Sequence, residues 1–267
     1  MEKQVDILIV GAGISGIGIA AHLTKNNPNR KFDIIERRAS FGGTWDLFKY
    51  PGIRSDSDMS TFGFNFKPWR KANVLADGES IKGYIGEVVD EYKLKDKIHF
   101  NHRVLAANYD SSTKKWHVQI EDANQKTQTW IANFVLGCTG YYNYDQGFQP
   151  DFPNQEAFKG QLIHPQFWPE NLDYAGKKVV IIGSGATAIT LVPAMAKGGA
   201  GHVTMLQRSP TYIASIPSID FVYDKTRKFM SEDLAYKFTR ARNIGMQRGI
   251  FALSKKQPQL VRKLLLK

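Results

Sequence analysis

The sequence predicts a mixed α/β fold that contains two copies of one strand–turn–helix unit. The β-branched runs Val5–Val10 and Val179–Ile182 each lead directly into a glycine-rich turn. An apolar helical stretch follows each turn, and a second short strand follows each helix, as in a parallel sheet with crossover helices. We therefore expect two Rossmann-like dinucleotide-binding domains, of which the second is incomplete.

The first turn has the spacing of a dinucleotide-binding loop. Gly11 permits a tight turn, Gly13 lets the backbone approach a pyrophosphate, and Gly16 lets the helix pack on the strand. The helix that begins beside Ser15 offers N–H groups and a favourable dipole to the anion. Glu36 follows the next strand, 20 residues after Gly16, where a carboxylate accepts hydrogen bonds from ribose hydroxyls. These features predict a nucleotide site.

The second turn differs at the position that contacts the ribose. Arg208 lies 25 residues after Gly183, whereas Glu36 lies 25 residues after Gly11. A guanidinium suits a 2′-phosphate and a carboxylate repels it, which predicts FAD in the first site and NADP(H) in the second. Pro193 is expected to kink or shorten the second helix. The residues assigned to NADP(H) here are Gly183, Ser184, Gly185, Ala186, Thr187, Ala188, Ile189, Gln207, Arg208 and Ser209.

The stretch between the two turns predicts an amphipathic helix and then an antiparallel meander. The helix covers apolar positions from Ile81 to Tyr92, and the meander strands are Ile98–Val104, Trp116–Glu121 and Thr129–Leu136. Such a meander often completes an FAD domain. Gly140, after the last strand, allows close approach to the cofactor.

Composition excludes several classes of protein. The single cysteine, Cys138, excludes an internal disulfide, fits a reducing compartment and is expected to be a small buried residue. No stretch approaches the roughly 20 apolar residues of a membrane span. The net charge is +11, and residues 221–267 contribute +9 of it, which weakens a nucleic-acid interpretation of the whole chain. We expect a cytoplasmic protein, with peripheral contact of the basic helical tail at the inner face of the membrane as the alternative to a partner surface.

Two longer motifs carry a family resemblance. Phe158–Pro169 reads F-x-G-x-x-x-H-x-x-x-W-P, and Gly42–Asp56 reads G-G-x-W-x-x-x-x-Y-P-G-x-x-x-D. Both resemble motifs of the flavin-dependent Baeyer–Villiger monooxygenases. Within that group the chain is similar to the ethionamide-activating monooxygenases and to flavin monooxygenases of alkane-degrading bacteria, through GGTWDLFKYPGIRSDSD, GYYNYD, IHPQFWPE and VTMLQRSPTYI.

The resemblance implies a reaction and roles for individual residues. NADPH would reduce FAD, and O2 would give a flavin C4a-peroxide that inserts one oxygen atom into an apolar ketone or sulfur compound. Asp56 would sit at the reacting face, and His164 would couple NADPH binding to flavin chemistry. Further FAD contacts are implied at Thr44, Trp45, Asp46, Leu47, Asp56 and Val104, and further NADP contacts at Arg54, Ser55 and Asp56.

The resemblance also implies that the chain is a C-terminally truncated member. Residues 1–145 are expected to form the FAD-binding domain, 146–177 the linker, 178–220 the start of the NADP-binding domain, and 221–267 a basic helical segment. A catalytic arginine is expected beyond residue 267.

Three alternatives remain open. A non-catalytic, membrane-associated FAD-binding fragment fits the basic tail. An N-hydroxylating flavin monooxygenase shares both nucleotide sites, although Trp168-Pro169 argues against it. A pyridine nucleotide–disulfide reductase is disfavoured, because that chemistry requires two redox cysteines. No metal site is expected.

Overall fold

A computed structural model describes residues 3–71, 73–209, 211–213 and 215–266. The chain divides into two compact units, Met1–Tyr50 with Gly78–Glu170 and Pro51–Asp77 with Asn171–Lys267. Its elements confirm the predicted mixed α/β class. The functional boundaries expected at residues 145, 177 and 220 remain predictions.

The described residues form eight strands and eight α-helices, and three consecutive helices end the described chain. The strands are β1 (Lys3–Val10), β2 (Phe32–Ile35), β3 (Ile98–His99), β4 (Arg103–Asp110), β5 (Lys115–Glu121), β6 (Thr127–Gly137), β7 (Lys178–Ile182) and β8 (His202–Leu206). The helices are α1 (Ile14–Asn26), α2 (Thr44–Leu47), α3 (Met59–Phe62), α4 (Gly78–Glu91), α5 (Ala186–Lys197), α6 (Phe221–Thr226), α7 (Glu232–Lys256) and α8 (Pro258–Leu265). Short 3-10 turns cover Lys95–Lys97, Gln155–Ala157 and Pro165–Phe167.

The first unit is built on a six-stranded sheet in the order β3-β2-β1-β6-β5-β4. Strand β1 is central and runs parallel to both β2 and β6. Leu8 and Ile9 of β1 are fully buried, because both faces of a central parallel strand are covered. The amphipathic helix predicted after residue 80 is α4, whose apolar face is buried, including Ile81, Ile85 and Val88.

The predicted meander is present, with one correction at its start. Strands β4, β5 and β6 pair antiparallel, and Val118, Ile120 and Trp130 form part of their core. The run Ile98–Val104 is not one strand, because Asn101 has a φ of +56° and breaks it. Its first residues instead pair parallel with β2 as β3.

The second unit contains the parallel pair β7 and β8, the helix α5 and the helices that follow. Pro193 lies inside helix α5, which ends at Lys197. The buried side of α5 includes Ala188, Leu191 and Met195. No described helix has both the length and the apolar character needed to cross a membrane.

Candidate functional site

The first glycine turn is shaped by close backbone packing. Gly11 has a φ of +108°, and a Cβ placed there would lie 2.5 Å from the carbonyl oxygen of Cys138. A Cβ on Gly16 would lie 1.9 Å from the carbonyl oxygen of Gly11. The tight turn and the close packing of helix on strand expected of these two glycines are therefore both present.

The N-terminus of α1 opens onto a second glycine-rich loop. Gly13 is the N-cap residue and supplies no side-chain cap, so the first-turn N–H groups of this 13-residue helix have no capping side chain. Gly42 donates its N–H to the Ala12 carbonyl oxygen at 3.0 Å. A Cβ on Gly43 would lie 3.0 Å from the Gly13 Cα, so a side chain here would crowd the helix start. The two loops leave bare backbone where an anion could approach.

Glu36 is held rigidly at the end of β2. One carboxylate oxygen accepts from the Ala12 N–H at 2.8 Å and the other from the Arg38 N–H at 2.9 Å. The residue is only 6% exposed, and its carboxylate still has free lone pairs. This geometry suits a fixed acceptor for ribose hydroxyls.

These features border a cleft of about 650 Å³ in the first unit. Its volume is typical of small-molecule and cofactor sites. The cleft brings together most of the residues predicted to hold FAD: Gly11, Gly13, Ser15, Glu36, Thr44, Trp45, Val104 and Gly140. Gly16, Asp46 and Leu47 are not among its lining residues, and Asp56 belongs to the second unit.

Asp46 has a structural environment of its own. Its carboxylate accepts from the Arg38 guanidinium at 2.7 Å and from the Lys82 ammonium at 2.5 Å. Burial alone would raise the pKa of this carboxyl, but the hydrogen bonds from Lys82 and Arg38 hold the pKa below its ordinary 3.8. Asp46 therefore ties the Gly42–Gly43 loop to α4 and to the end of β2.

One wall of the cleft consists of Tyr141, Tyr142 and Tyr144 with Asn143, residues to which the sequence analysis assigned no role beyond a shared stretch. Burial and a hydrogen bond with Tyr141 raise the pKa of Tyr142 to about 12. Burial also raises the pKa of Tyr144, whose ring lies 5.8 Å from the Arg38 guanidinium carbon. Neutral phenol groups therefore face the cleft.

The stretch with the Phe158–Pro169 motif supports that wall. The Gln166 amide donates to the Asn143 carbonyl oxygen at 2.6 Å, and Gln166 is buried. The His164 ring accepts from the Gln166 N–H at 3.2 Å. A Cβ on Gly147 would lie 2.2 Å from the same ring, so the imidazole packs directly on the backbone that follows the tyrosines.

The second glycine turn has a similar path but open surroundings. Gly183 has a φ of +134°. A Cβ built on Gly183 or on Gly185 would have no atom of the described residues within 4 Å. Gly185 is the N-cap of the 12-residue α5 and supplies no side-chain cap. The exposed residues Gln207, Arg208 and Ser209 follow β8, and the Ser184 hydroxyl donates to the Ser209 carbonyl oxygen at 3.4 Å. The predicted NADP residues of this unit therefore meet at one end of the β7–β8 pair.

The segment that carries Arg54, Ser55 and Asp56 lies in the same unit. A Cβ on Gly52 would lie 2.6 Å from the Thr190 carbonyl oxygen of α5, so this segment approaches the helix closely. Ser55 is buried and donates its N–H to the Ala76 carbonyl oxygen at 2.9 Å, whereas Arg54 and Asp56 are exposed. The described residues contain no group of three or more His, Cys, Asp or Glu side chains placed to hold a metal.

Comparison with protein families places residues 2–231 in a match to the family described as flavin-binding monooxygenase-like. The chain is 81% identical over its whole length to the "Probable FAD-binding monooxygenase AlmA" of Acinetobacter baylyi, and covers 54% of that protein. It is 53% identical to the "FAD-containing monooxygenase EthA" of Mycolicibacterium smegmatis, again over all of this chain and 54% of the relative. The chain thus spans about half the length of these curated relatives.

Solved structures of flavin enzymes likewise match most of this chain and less than half of their own length. A structure titled "Oxidized steroid monooxygenase bound to NADP" is 26% identical, with a TM-score of 0.72 over 88% of this chain and 43% of the other. "Crystal Structure of OTEMO complex with FAD and NADP (form 3)" is 25% identical, with a TM-score of 0.71 over 88% of this chain and 44% of the other.

Proposed function

The chain belongs to the flavin-binding monooxygenase-like family, and on that premise we propose that it provides the FAD site and part of the NADPH site of a monooxygenase. The observation that carries the proposal is the cleft in the first unit. It joins an uncapped helix start, a bare glycine backbone and a buried ribose acceptor. A pyrophosphate, a ribose and a flat ring system have matching partners there.

FAD fits the residues present. The first-turn N–H groups of α1, beside Ser15, would hold the pyrophosphate, and Glu36 would accept from the adenosine ribose. Thr44, Trp45 and the tyrosine wall would line the remaining length of the cofactor. Val104 and Gly140 would leave room at the backbone. These assignments, with Asp46 and Leu47 as supports of the loop, are proposals.

NADPH is proposed for the second unit. The α5 N-terminus would hold its pyrophosphate, and exposed Arg208 with Ser209 would hold the 2′-phosphate. Arg54, Ser55 and Asp56 lie on the segment that touches α5 through Gly52, which supports their assignment to the same nucleotide. When bound, FAD would act as the hydride acceptor for NADPH and would activate O2. One oxygen atom would enter the substrate, and the other would leave as water.

The proposed substrates are apolar ketones, converted to esters, or apolar sulfur compounds. The resemblance of both long motifs to Baeyer–Villiger enzymes supports this class, and the names of the relatives support a flavin monooxygenase. Asp56 is proposed to act at the reacting face, and the coupling role of His164 stays a prediction.

Contact of α8 with an anionic membrane also stays a prediction. It is supported by exposed Leu260, Leu264 and Leu265 beside Arg262 and Lys263.

The test is the visible absorbance spectrum of the purified chain, before and after NADPH is added under air. We expect a flavin band that bleaches as the flavin is reduced and returns as O2 reoxidises it. A Gly13→Ala variant, whose new Cβ would meet the Gly43 Cα at an ordinary 3.6 Å but occupy the backbone expected to approach the pyrophosphate, serves as the matched control with weakened FAD binding. A colourless protein of unaltered fold would contradict the assignment of the cleft.

A further inference from the structure

Helix α7 holds the segment Pro51–Asp77 through a network centred on Asp58. The Asp58 side chain caps α3 by accepting from the Thr61 N–H at 3.0 Å. It also accepts from the Asn243 amide at 2.9 Å and from the Gln247 amide at 3.0 Å, both on α7. Asp58 is therefore bound at once by its own segment and by a helix more than 180 residues further along the chain.

Arg240 of α7 makes a second contact, at the C-terminal end of α3. One guanidinium nitrogen of Arg240 lies 2.7 Å from the Ser60 carbonyl oxygen and 3.0 Å from those of Thr61 and Gly63. The last carbonyl groups of a helix lack partners within it and carry its negative end, so a guanidinium there is favourable. Helix α7 thus contacts both ends of α3, through Arg240 at the C-terminal end and through Asn243 and Gln247 on the N-cap residue Asp58.

The network is buried and continues beyond α7. Asn243 is only 5% exposed, and its side-chain oxygen accepts from the Arg242 guanidinium at 2.9 Å. Arg242 in turn forms an ion pair with Asp220, which caps α6. The orientation of the Asn243 amide is therefore set: its oxygen faces a cation, and its nitrogen must donate to Asp58.

The held segment includes three residues of the proposed NADPH site. Asp58 lies two residues after Asp56, and the Ser55 hydroxyl accepts from the Ser57 N–H at 3.1 Å, which tightens the chain between them. Met59 donates its N–H to the Val74 carbonyl oxygen at 2.8 Å, which closes the segment on itself. Arg54 and Asp56 are exposed on an otherwise fixed backbone.

We propose that Asp58, Arg240 and Asn243 are positioning residues, which hold Arg54–Asp56 in the geometry needed to bind NADPH. The inference rests on the proposed function, because it assigns these residues to that nucleotide. It also gives part of the basic helix a role other than membrane contact, since Arg240 and Arg242 are used inside the unit.

The test exchanges the two partners of the central hydrogen bond in the full chain. Asn243→Asp places a second carboxylate against Asp58, and loss of a hydrogen bond to a charged group predicts a roughly tenfold weaker NADPH affinity. Asp58→Asn combined with Asn243→Asp removes the like-charge contact and preserves the Arg242 contact, but the Asp58 oxygen that faces Asn243 also accepts from the Thr61 N–H. A new amide cannot satisfy both positions, so we expect only partial recovery of affinity. Lys237→Gln, an exposed change on α7 with the same net-charge change of −1, is the matched control for Asn243→Asp.

Three readouts separate the possible results. Positioning predicts faster amide hydrogen exchange over residues 58–63 and a raised NADPH dissociation constant in Asn243→Asp, with FAD content unchanged and both effects partly reversed in the double variant. Unchanged NADPH affinity despite faster exchange would overturn the positioning role, and unchanged exchange would overturn the network itself. If the unaltered protein binds no NADPH, the proposed function falls together with the positioning role, while the exchange data still decide whether the network exists. Gln247→Glu, at a more exposed contact, replaces Asn243→Asp if that variant does not fold.

Discussion

The two glycine turns have nearly the same sequence pattern and different physical surroundings. At the first turn, β1 lies between β2 and β6, and the end of β6 presses the Cys138 carbonyl against Gly11. At the second, β7 and β8 form a two-stranded sheet within the described residues, and no atom lies within 4 Å of a Cβ built on Gly183. Val180, Ile182 and Leu206 of that pair are 60%, 55% and 56% exposed.

The two turns show two different physical reasons why a turn position is occupied by glycine. In the first turn, glycine is required by neighbouring backbone, so the loop has one possible shape whether or not a nucleotide is present. In the second, the left-handed backbone at Gly183 favours glycine, and the proposed nucleotide would need the open space beside it. Variants at matching positions should therefore have unequal effects.

The largest contrast is expected at the third position of each turn. Gly16→Ala would place a Cβ 1.9 Å from the Gly11 carbonyl oxygen, and we expect a loss of about 3 kcal/mol or more in the free energy of unfolding. Ala188→Gly, the reciprocal change in the second turn, should lose less, about 2 kcal/mol, through helix propensity and the loss of a buried methyl group. Urea denaturation measures both, and equal losses would contradict the contrast.

Acid should affect the first turn through Asp46. Its folded pKa lies below its ordinary 3.8, so its contribution to stability is present above that value and is lost as the pH falls through the folded pKa. Asp46→Asn should lose about 3 kcal/mol at pH 7, because Arg38 and Lys82 lose a charged partner. Denaturation at pH 7 and pH 3 should show a smaller pH dependence in the variant than in the unaltered protein. An unchanged dependence would mean that other carboxylates dominate.

Arg208 is the residue at which the two turns are expected to differ in the nucleotide that they bind. Arg208→Ala should weaken NADPH binding roughly 10- to 100-fold, as expected for lost hydrogen bonds to a charged 2′-phosphate, and should leave NADH binding and FAD content nearly unchanged. Nucleotide titrations measure both affinities. Lys197→Ala, an exposed basic residue of the same unit, is the control for net charge. Parallel losses for NADPH and NADH would contradict the assignment.

The smallest effect is expected at Gly183. Its φ of +134° is strained for alanine, but the surrounding space is open, so Gly183→Ala should lose about 1 to 2 kcal/mol. Gly11→Ala combines the same kind of strain, at a φ of +108°, with a contact of 2.5 Å and should lose more. Thermal unfolding of the two variants ranks them, and the reverse order would show that the second turn is packed more tightly than its neighbours indicate.

Much of the first site could be predicted because its signals are local. The turn at Gly11, the helix after it and the acid at Glu36 follow from backbone conformation and strand alternation over about 30 residues, which a sequence pattern records. One expectation failed for a local reason that the pattern did not weigh: Asn101 breaks the run Ile98–Val104. Pro193 lies inside α5, which ends at Lys197.

The sequence by itself determined the fold class, the two glycine turns and the opposite charges of Glu36 and Arg208. Only the tertiary structure decided that Asp46 supports the loop through Arg38 and Lys82, and that α7 grips α3 through Asp58. The physical reason is distance along the chain. A turn is fixed by the conformations that its own residues allow, whereas a buried ion pair or amide contact exists only after segments far apart in sequence have packed together.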